Sequence, residues 1–251
     1  MTTPKPRIAF FHGGGSNSQI STIQCAQVSR YLQDEYEFVF FDAPFERSAG
    51  PGILPAFADK MYQPYRTWFT TSPEDGTELG DGSGFDASYS SSWGMAADGV
   101  ERVWELMKSS PSVGKGEWVG VMGFSQGTRV AGGLLLDQQR RTEAGLLRKG
   151  KGEIELKFGV LCMGGGSPMR SAISHAPNPP DLVTIPVLHL HGLRDFNLAN
   201  SRKQKDTYYH PSSATLLEIE YHHAMPWNRA DLVAFCDAVR DFWTPKENAV
   251  A

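Results

Sequence analysis

Ser125 is the centre of the motif G-F-S-Q-G, in which a glycine stands two residues away on either side of the serine. An apolar run, 119–122, enters this G-x-S-x-G turn, and a helix-compatible segment leaves it. A serine on such a sharp strand-to-helix turn is lifted clear of the backbone and can act as a nucleophile. A Cβ at Gly123 or Gly127 would clash there. The alternative is an ordinary glycine-containing loop between a strand and a helix.

Asp195 and His223 are the residues predicted to complete a catalytic triad with Ser125. Each follows an apolar, strand-like run, 185–191 in the first case and 215–220 in the second. Loops at the carboxyl ends of parallel strands converge on one crevice, so the three residues should be neighbours. The chain order of serine, acid and histidine is that of α/β-hydrolases. His223 would take the serine hydroxyl proton, and the carboxylate would orient the imidazole.

Other histidines and aspartates compete for these roles. His222 is the strongest alternative base, but adjacent residues of an extended segment point in opposite directions, so only one of the pair can face the serine. His189 and His191 stand two apart on a strand and are expected to pack in the core or shape the site, rather than hold a metal. The alternative acids, Asp181 and Asp206, do not lie just past a predicted strand.

A glycine-rich loop, 12–18, follows the first apolar run. Glycines let a backbone aim its N–H groups into a cleft, as an oxyanion hole requires. The N–H groups of Gly14 and Gln126 are the predicted oxyanion donors, and His12 is interpreted as a hydrogen-bond donor that orders the loop. A phosphate-binding loop is the alternative, although neither G-x-G-x-x-G nor G-x-x-x-x-G-K-[ST] is present here.

Strand-like and helix-like segments alternate along the chain. Strands are predicted at 7–11, 37–44 (a second buried strand), 119–122, 158–163, 185–191 and 215–220, and helices at 20–31, 95–107, after Ser125, at 199–209 and at 229–243. This alternation predicts an α/β-hydrolase fold with a mostly parallel, doubly wound sheet. We expect one domain over 1–251.

Residues 45–92 interrupt this alternation with a long stretch of proline, glycine, serine, aspartate and aromatic residues. Aromatic residues argue against disorder, and loops of this length are usually functional. We predict an aromatic-rich cap over the active site. The alternative is a surface Ω-loop that packs its own aromatic residues. The candidate substrate-binding residues are Tyr65, Trp68, Phe69, Trp93 and His222.

Length, charge and cysteine content limit the function classes. A chain of 251 residues, 40% of them hydrophobic, can bury about three quarters of its unfolded surface in one domain. The net charge of -4, without a dense basic block, argues against nucleic acid or an anionic membrane as partner. No apolar run approaches the roughly 18 residues of a membrane span and no signal peptide is predicted, so we expect a cytoplasmic location. We also expect no cofactor. Cys25, Cys162 and Cys236 are interpreted as buried thiols.

Four motifs, in order and over nearly the whole chain, resemble the fungal serine hydrolase (FSH) family of α/β-hydrolases: F-F-H-G-G-G-S-N-S, G-F-S-Q-G, H-G-L-R-D and H-H-A-M-P. The family pattern G-G-H-x-x-P aligns on 221–226 and selects His223 as the base, although Tyr221 and His222 replace both glycines. The segment 66–69 is similar to the family's R-x-W-W element. The resemblance implies an esterase or thioesterase, a polyketide-type small-molecule substrate and, for release from a synthase, an acyl-carrier domain as partner.

Two alternative functions use the same fold. The first is a non-catalytic module that binds a small molecule in the pocket. The second is an acyltransferase, which forms the same acyl-enzyme but excludes water and passes the acyl group to another acceptor.

Overall fold

The computed structural model describes residues 4–69, 99–111, 115–147, 153–171 and 181–242. Its strands are β1 (Arg7–Phe11), β2 (Glu37–Phe41), β3 (Phe45–Glu46), β4 (Arg66–Thr67), β5 (Trp118–Phe124), β6 (Phe158–Cys162), β7 (Val187–Gly192) and β8 (Ala214–Ile219). Its helices are α1 (Ser18–Gln24), α2 (Ala26–Tyr31), α3 (Val100–Ser109), α4 (Gly127–Glu143), α5 (Leu198–Tyr208) and α6 (Arg229–Phe242). A single 3-10 turn within these ranges spans Lys60–Tyr62.

Six of these strands form a parallel sheet in the order β2-β1-β5-β6-β7-β8. The chain first moves outward from β1 to β2 and then returns to the other side of β1 at β5. The strand order therefore reverses between β1 and β5, which is the place where sheets of this kind bind their ligands. The loop after β1 and the loop after β5 meet there, as the predicted α/β fold requires.

Successive residues of the central strands face opposite sides of the sheet. In β1, Ala9 and Phe11 join a core cluster with α3 and α4, whereas Ile8 and Phe10 join a second cluster with α2 and α6. This alternation is the period of two that a pleated strand imposes. Both faces are covered by helices, which explains why these strands read as continuous apolar runs.

The prediction of a second buried strand is wrong for β2. Four of its five residues are only half-buried, because β2 is the edge of the sheet and pairs with β1 alone. The predicted helix over 20–31 is two helices, since Cys25 between them has the non-helical torsion angles φ -97° and ψ 5°. The first residues of the predicted helix over 95–107 lie outside the described residues, and α3 begins at Val100.

The described part of the predicted cap, 45–69, packs partly against itself and partly against the glycine-rich loop. β3 and β4 pair as a short antiparallel ladder, and the Tyr65 hydroxyl donates a hydrogen bond to the Phe57 carbonyl oxygen at 2.6 Å. The Gly15 N–H also donates to the Arg66 carbonyl oxygen at 2.8 Å, so this segment contacts the glycine-rich loop, and the cap stays a prediction. The rest of the predicted cap, from residue 70 to 92, lies outside the described residues, as does Trp93.

The cysteines of this fold are buried and free. Burial raises the pKa of the thiols of Cys25, Cys162 and Cys236, so the thiolate is disfavoured at all three positions. The interpretation of buried thiols is confirmed. In the part of the chain that the structure describes, no helix has both the length and the apolar character needed to cross a membrane.

Three histidines lie inside the fold and should make its stability depend on pH. Burial lowers the pKa of His12 and His191 from 6.5 to about 4, and that of His189 to about 3. Below pH 6.5 the unfolded chain therefore binds protons that the folded protein excludes until about pH 4. We expect the free energy of unfolding to fall over this window, by about 1.4 kcal/mol per pH unit for each histidine.

Urea unfolding at a series of pH values measures this loss. A variant of His189 isolates the contribution of one histidine to the pH dependence of the free energy of unfolding. Neither ring nitrogen of His189 has a hydrogen-bond partner among the described residues, so its replacement breaks no hydrogen bond there. We expect His189→Leu to flatten the pH dependence by about a third, whereas His210→Gln, at an exposed site, should leave it unchanged. A free energy of unfolding that stays constant from pH 7 to 5 would contradict the prediction.

Candidate active site

Ser125 lies between β5 and α4 with a φ of +52°, in the left-handed region that residues other than glycine seldom adopt. A Cβ built on Gly123 would overlap the Gly127 carbonyl, and one built on Gly127 would overlap the Phe11 carbonyl. The predicted reason for these glycines is confirmed. The Ser125 N–H donates to the Cys162 carbonyl oxygen at 2.9 Å, which ties the turn to β6.

The structure brings Ser125, Asp195 and His223 into one line of hydrogen bonds. His223 Nε2 lies 2.9 Å from Ser125 Oγ, and His223 Nδ1 lies 2.8 Å from Asp195 Oδ2 and 3.0 Å from its Oδ1. A ring that donates from Nδ1 to the carboxylate leaves Nε2 free to accept the serine proton. This is the arrangement of a nucleophile, its base and the group that orients the base.

The carboxylate of Asp195 is buried and held by a second donor. The Asn197 backbone N–H donates to Asp195 Oδ1 at 2.7 Å, and the Asn197 side-chain amide donates to the Gly164 carbonyl oxygen at 2.7 Å. The turn after β7 is thereby fixed to the loop after β6. Sequence reasoning did not single out Asn197, because nothing local distinguishes it from another turn residue.

The imidazole of His223 lies against two aromatic rings. The ring centroid of Phe124 is 5.0 Å away and that of Phe196 is 4.7 Å away. Phe124 precedes the candidate nucleophile and Phe196 follows the candidate acid, so the chain positions that place the triad also place these rings. Sequence reasoning missed both residues, although their positions beside the motif residues were a usable signal.

The glycine-rich loop passes directly beside the serine. A Cβ on Gly13 would lie 3.2 Å from Ser125 Cβ, and one on Gly14 would lie 3.2 Å from Gln126 Nε2. The backbone N–H of Gly14 makes no hydrogen bond with any residue that the structure describes. The glycine-rich loop therefore lies against the serine turn.

His12 orders this loop from within the core. Its Nδ1 donates to the Gly13 carbonyl oxygen at 2.7 Å, and its Nε2 accepts from the Ala43 N–H at 3.0 Å. Burial keeps the ring neutral by lowering its pKa to about 4. The interpretation of His12 as a loop-ordering donor is confirmed, and the ring also acts as an acceptor.

The side chain of Gln126 joins the serine turn to β4. Gln126 Oε1 accepts from the Trp68 N–H at 2.9 Å, and the amide meets the Thr67 hydroxyl at 2.9 and 3.0 Å. Trp68 Nε1 in turn donates to the His12 carbonyl oxygen at 2.9 Å. The serine turn and the glycine loop are thus held by one buried network. Sequence reasoning missed Thr67 as a member of it.

These contacts correct the predicted substrate-binding residues. Trp68 and Phe69 are only 1% and 0% exposed and pack in the core. They therefore stabilise the residues around the site and do not line its surface. Tyr65 is buried in the packing of 45–69, with its hydroxyl already bonded. His222 is exposed, and its ring stacks on that of Tyr221 with the centroids 4.8 Å apart, so its assignment to substrate binding stays a prediction.

Replacing Thr67 with valine should lower kcat about tenfold while the fold is retained. Valine has the same shape but removes the hydroxyl that bonds to the Gln126 amide, and a small displacement of catalytic groups costs activity out of proportion to stability. Steady-state kinetics and thermal unfolding of the variant measure the two effects. Thr22→Val, which removes an exposed hydroxyl bonded only to the Ser18 carbonyl oxygen, is the control. A variant that loses stability but keeps kcat would contradict the prediction.

A family model described as Serine hydrolase (FSH1) matches residues 1–235 of this chain. A probable esterase of Aspergillus terreus is 32% identical, over 96% of this chain and 90% of the relative. Esterase citA of Monascus ruber is 30% identical, over 92% of this chain and 90% of the relative.

Solved structures show the same fold. A carboxylesterase from Mesorhizobium loti has a TM-score of 0.56 at 12% identity, covering 93% of this chain and 88% of the other. Zea mays acyl-protein thioesterase 2 has a TM-score of 0.54 at 18% identity, covering 96% and 94%. The chain therefore belongs to the FSH1 family of serine hydrolases and is a hydrolase with an α/β-hydrolase fold.

Proposed function

We propose that this enzyme hydrolyses a carboxylic ester or thioester through an acyl-enzyme formed on Ser125. The observation that carries the proposal is the line of hydrogen bonds from Asp195 through His223 to Ser125, at 2.8 and 2.9 Å. His223 Nε2 takes the serine proton as Oγ attacks the carbonyl carbon. The same nitrogen then returns that proton to the leaving oxygen or sulfur as its bond to the acyl carbon breaks.

The backbone N–H groups of Gly14 and Gln126 are the proposed donors to the oxyanion. The packing of the glycine loop against the start of α4 supports this assignment. In the second half of the reaction water attacks the acyl carbon while His223 Nε2 takes its proton. The bond between the acyl carbon and Ser125 Oγ then breaks, Oγ regains the proton from Nε2, and the carboxylic acid leaves. The carboxylate of Asp195 stabilises the imidazolium in both halves.

The exposed aromatic residues near the triad support an apolar acyl group. Phe196, which contacts His223, is 74% exposed, and Trp227, beside Tyr221, is 67% exposed. The exposed ring of Phe196, in contact with His223, offers a surface on which an apolar acyl group can pack. A polyketide-type acyl substrate is part of the proposal, supported by the family resemblance and by the fungal esterases among the relatives.

Matched p-nitrophenyl esters and acyl-thioesters of increasing chain length test this function. We expect hydrolysis, with kcat/KM rising with acyl length for the wild-type enzyme. Phe196→Ala should raise KM for the longer acyl chains about tenfold, because the apolar contact between the aromatic ring and the acyl chain is lost. Leu146→Ala, an exposed residue beyond the far end of α4, is the control. Acyl transfer to an added alcohol in place of hydrolysis would favour an acyltransferase, and no turnover of either series would contradict the proposal.

A further inference from the structure

Arg47 lies beside the glycine-rich loop, directly after β3. A Cβ built on Gly14 would lie 3.3 Å from Arg47 Nη1 and 3.2 Å from Gln126 Nε2. The Arg47 backbone is fixed by its N–H, which donates to the Tyr65 carbonyl oxygen at 3.0 Å. The structure therefore holds a guanidinium group next to the residue proposed as an oxyanion donor.

This guanidinium has no counter-charge among the described residues. Arg47 forms no ion pair and no side-chain hydrogen bond there, and its Nε is buried without a partner. The neighbouring Glu46 is exposed, and residues adjacent along a strand point to opposite faces. The carboxylate of Asp42 accepts instead from the Ser18 N–H at 2.8 Å.

Two other arginines of this protein form ion pairs. Arg240 donates to Glu35 at 2.6 Å, and Arg202 donates to Glu218 at 2.9 and 3.1 Å. Arg47 differs from these two in that a guanidinium without a counter-charge among the described residues lies beside the proposed oxyanion donor, where Nη1 can donate to an anionic group of a substrate.

We propose that Arg47 binds a carboxylate of the substrate and selects acyl groups that carry this charge close to the scissile carbonyl. The inference rests on the proposed function. Arginine presents a planar set of donors that matches a carboxylate, with two parallel hydrogen bonds. The guanidinium lies beside Gly14, whose loop is proposed to bind the oxygen of the scissile carbonyl. A substrate carboxylate bound by Arg47 must therefore be separated from that carbonyl by only a few bonds. Half-esters of short dicarboxylic acids have this geometry.

A matched pair of substrates tests the assignment: mono-p-nitrophenyl glutarate and p-nitrophenyl pentanoate, which have the same chain length and differ in the terminal carboxylate. The quantity measured is the ratio of kcat/KM for the anionic ester to kcat/KM for the neutral ester. Arg47→Met should lower this ratio about a hundredfold, mainly through KM, and Arg47→Lys should lower it less, since lysine keeps the charge but not the paired donors. Arg202→Met, at a surface ion pair on α5, should leave the ratio unchanged.

Binding measured without turnover separates this proposal from the proposed function. Monomethyl glutarate should bind to Ser125→Ala by titration calorimetry, and the double variant Ser125→Ala with Arg47→Met should bind it about a hundredfold more weakly. Equal binding by the two variants, or an unchanged substrate ratio in Arg47→Met, would overturn the inference even if ester hydrolysis is observed. Absence of turnover for both esters in the wild type would instead count against the proposed function.

Discussion

Replacing Ser125 with alanine should reduce kcat for ester hydrolysis about a million-fold. The serine, His223 and Asp195 act as a unit, so loss of the nucleophile removes nearly all of the benefit of the other two. The hydroxyl that His223 Nε2 contacts at 2.9 Å is the atom that would carry the acyl group. Turnover of p-nitrophenyl esters measures the loss, and intact mass after treatment with a fluorophosphonate shows whether the activated hydroxyl is present.

A pair of histidine variants is the control for that result. His223→Ala should lose activity to a similar extent, whereas His222→Ala should retain it, because His222 is exposed and stacks on Tyr221. The two residues are adjacent, so a nonspecific disturbance of this loop would affect both variants. Retained turnover in pure Ser125→Ala, or fluorophosphonate labelling of that variant, would exclude Ser125 as the nucleophile.

Replacing Asp195 with asparagine should lower kcat by about four orders of magnitude, as the equivalent change does in a serine protease. The amide would present a donor where the carboxylate now accepts from His223 Nδ1 at 2.8 Å. The imidazole would then adopt the other tautomer, in which Nε2 carries a proton and cannot accept one from Ser125. The backbone N–H of Asn197 can still donate to the remaining amide oxygen, so the fold should be retained.

Asp206→Asn is the matched control, because Asp206 is an exposed aspartate of α5 that sequence reasoning considered as an alternative acid. We expect this variant to keep full activity. Thermal unfolding of both variants separates a catalytic effect from a loss of stability. A small effect of Asp195→Asn beside a large effect of Asp206→Asn would reverse the assignment of the acid.

The sequence by itself determined the order of the six strands of the central sheet, and it predicted Ser125, Asp195 and His223 just after three of them. Local physics is sufficient for these features. Apolar runs bounded by turn residues predict buried strands, and parallel strands carry their functional residues at their carboxyl ends. The need for glycine at positions 123 and 127 was also predictable from the sequence, because the close approach of strand and helix excludes a Cβ from both positions.

Only the tertiary structure decided which side chains surround these residues. The sequence pattern gives β2 as a buried strand, but the strand order makes it an edge. Trp68 and Phe69 read as candidate substrate contacts, yet they are core residues whose neighbours are far away in the chain. The link from Gln126 to Thr67, the ring of Phe196 against His223, and Arg47 beside Gly14 all join distant segments. Such contacts depend on sheet order and side-chain direction, which local periodicity does not encode.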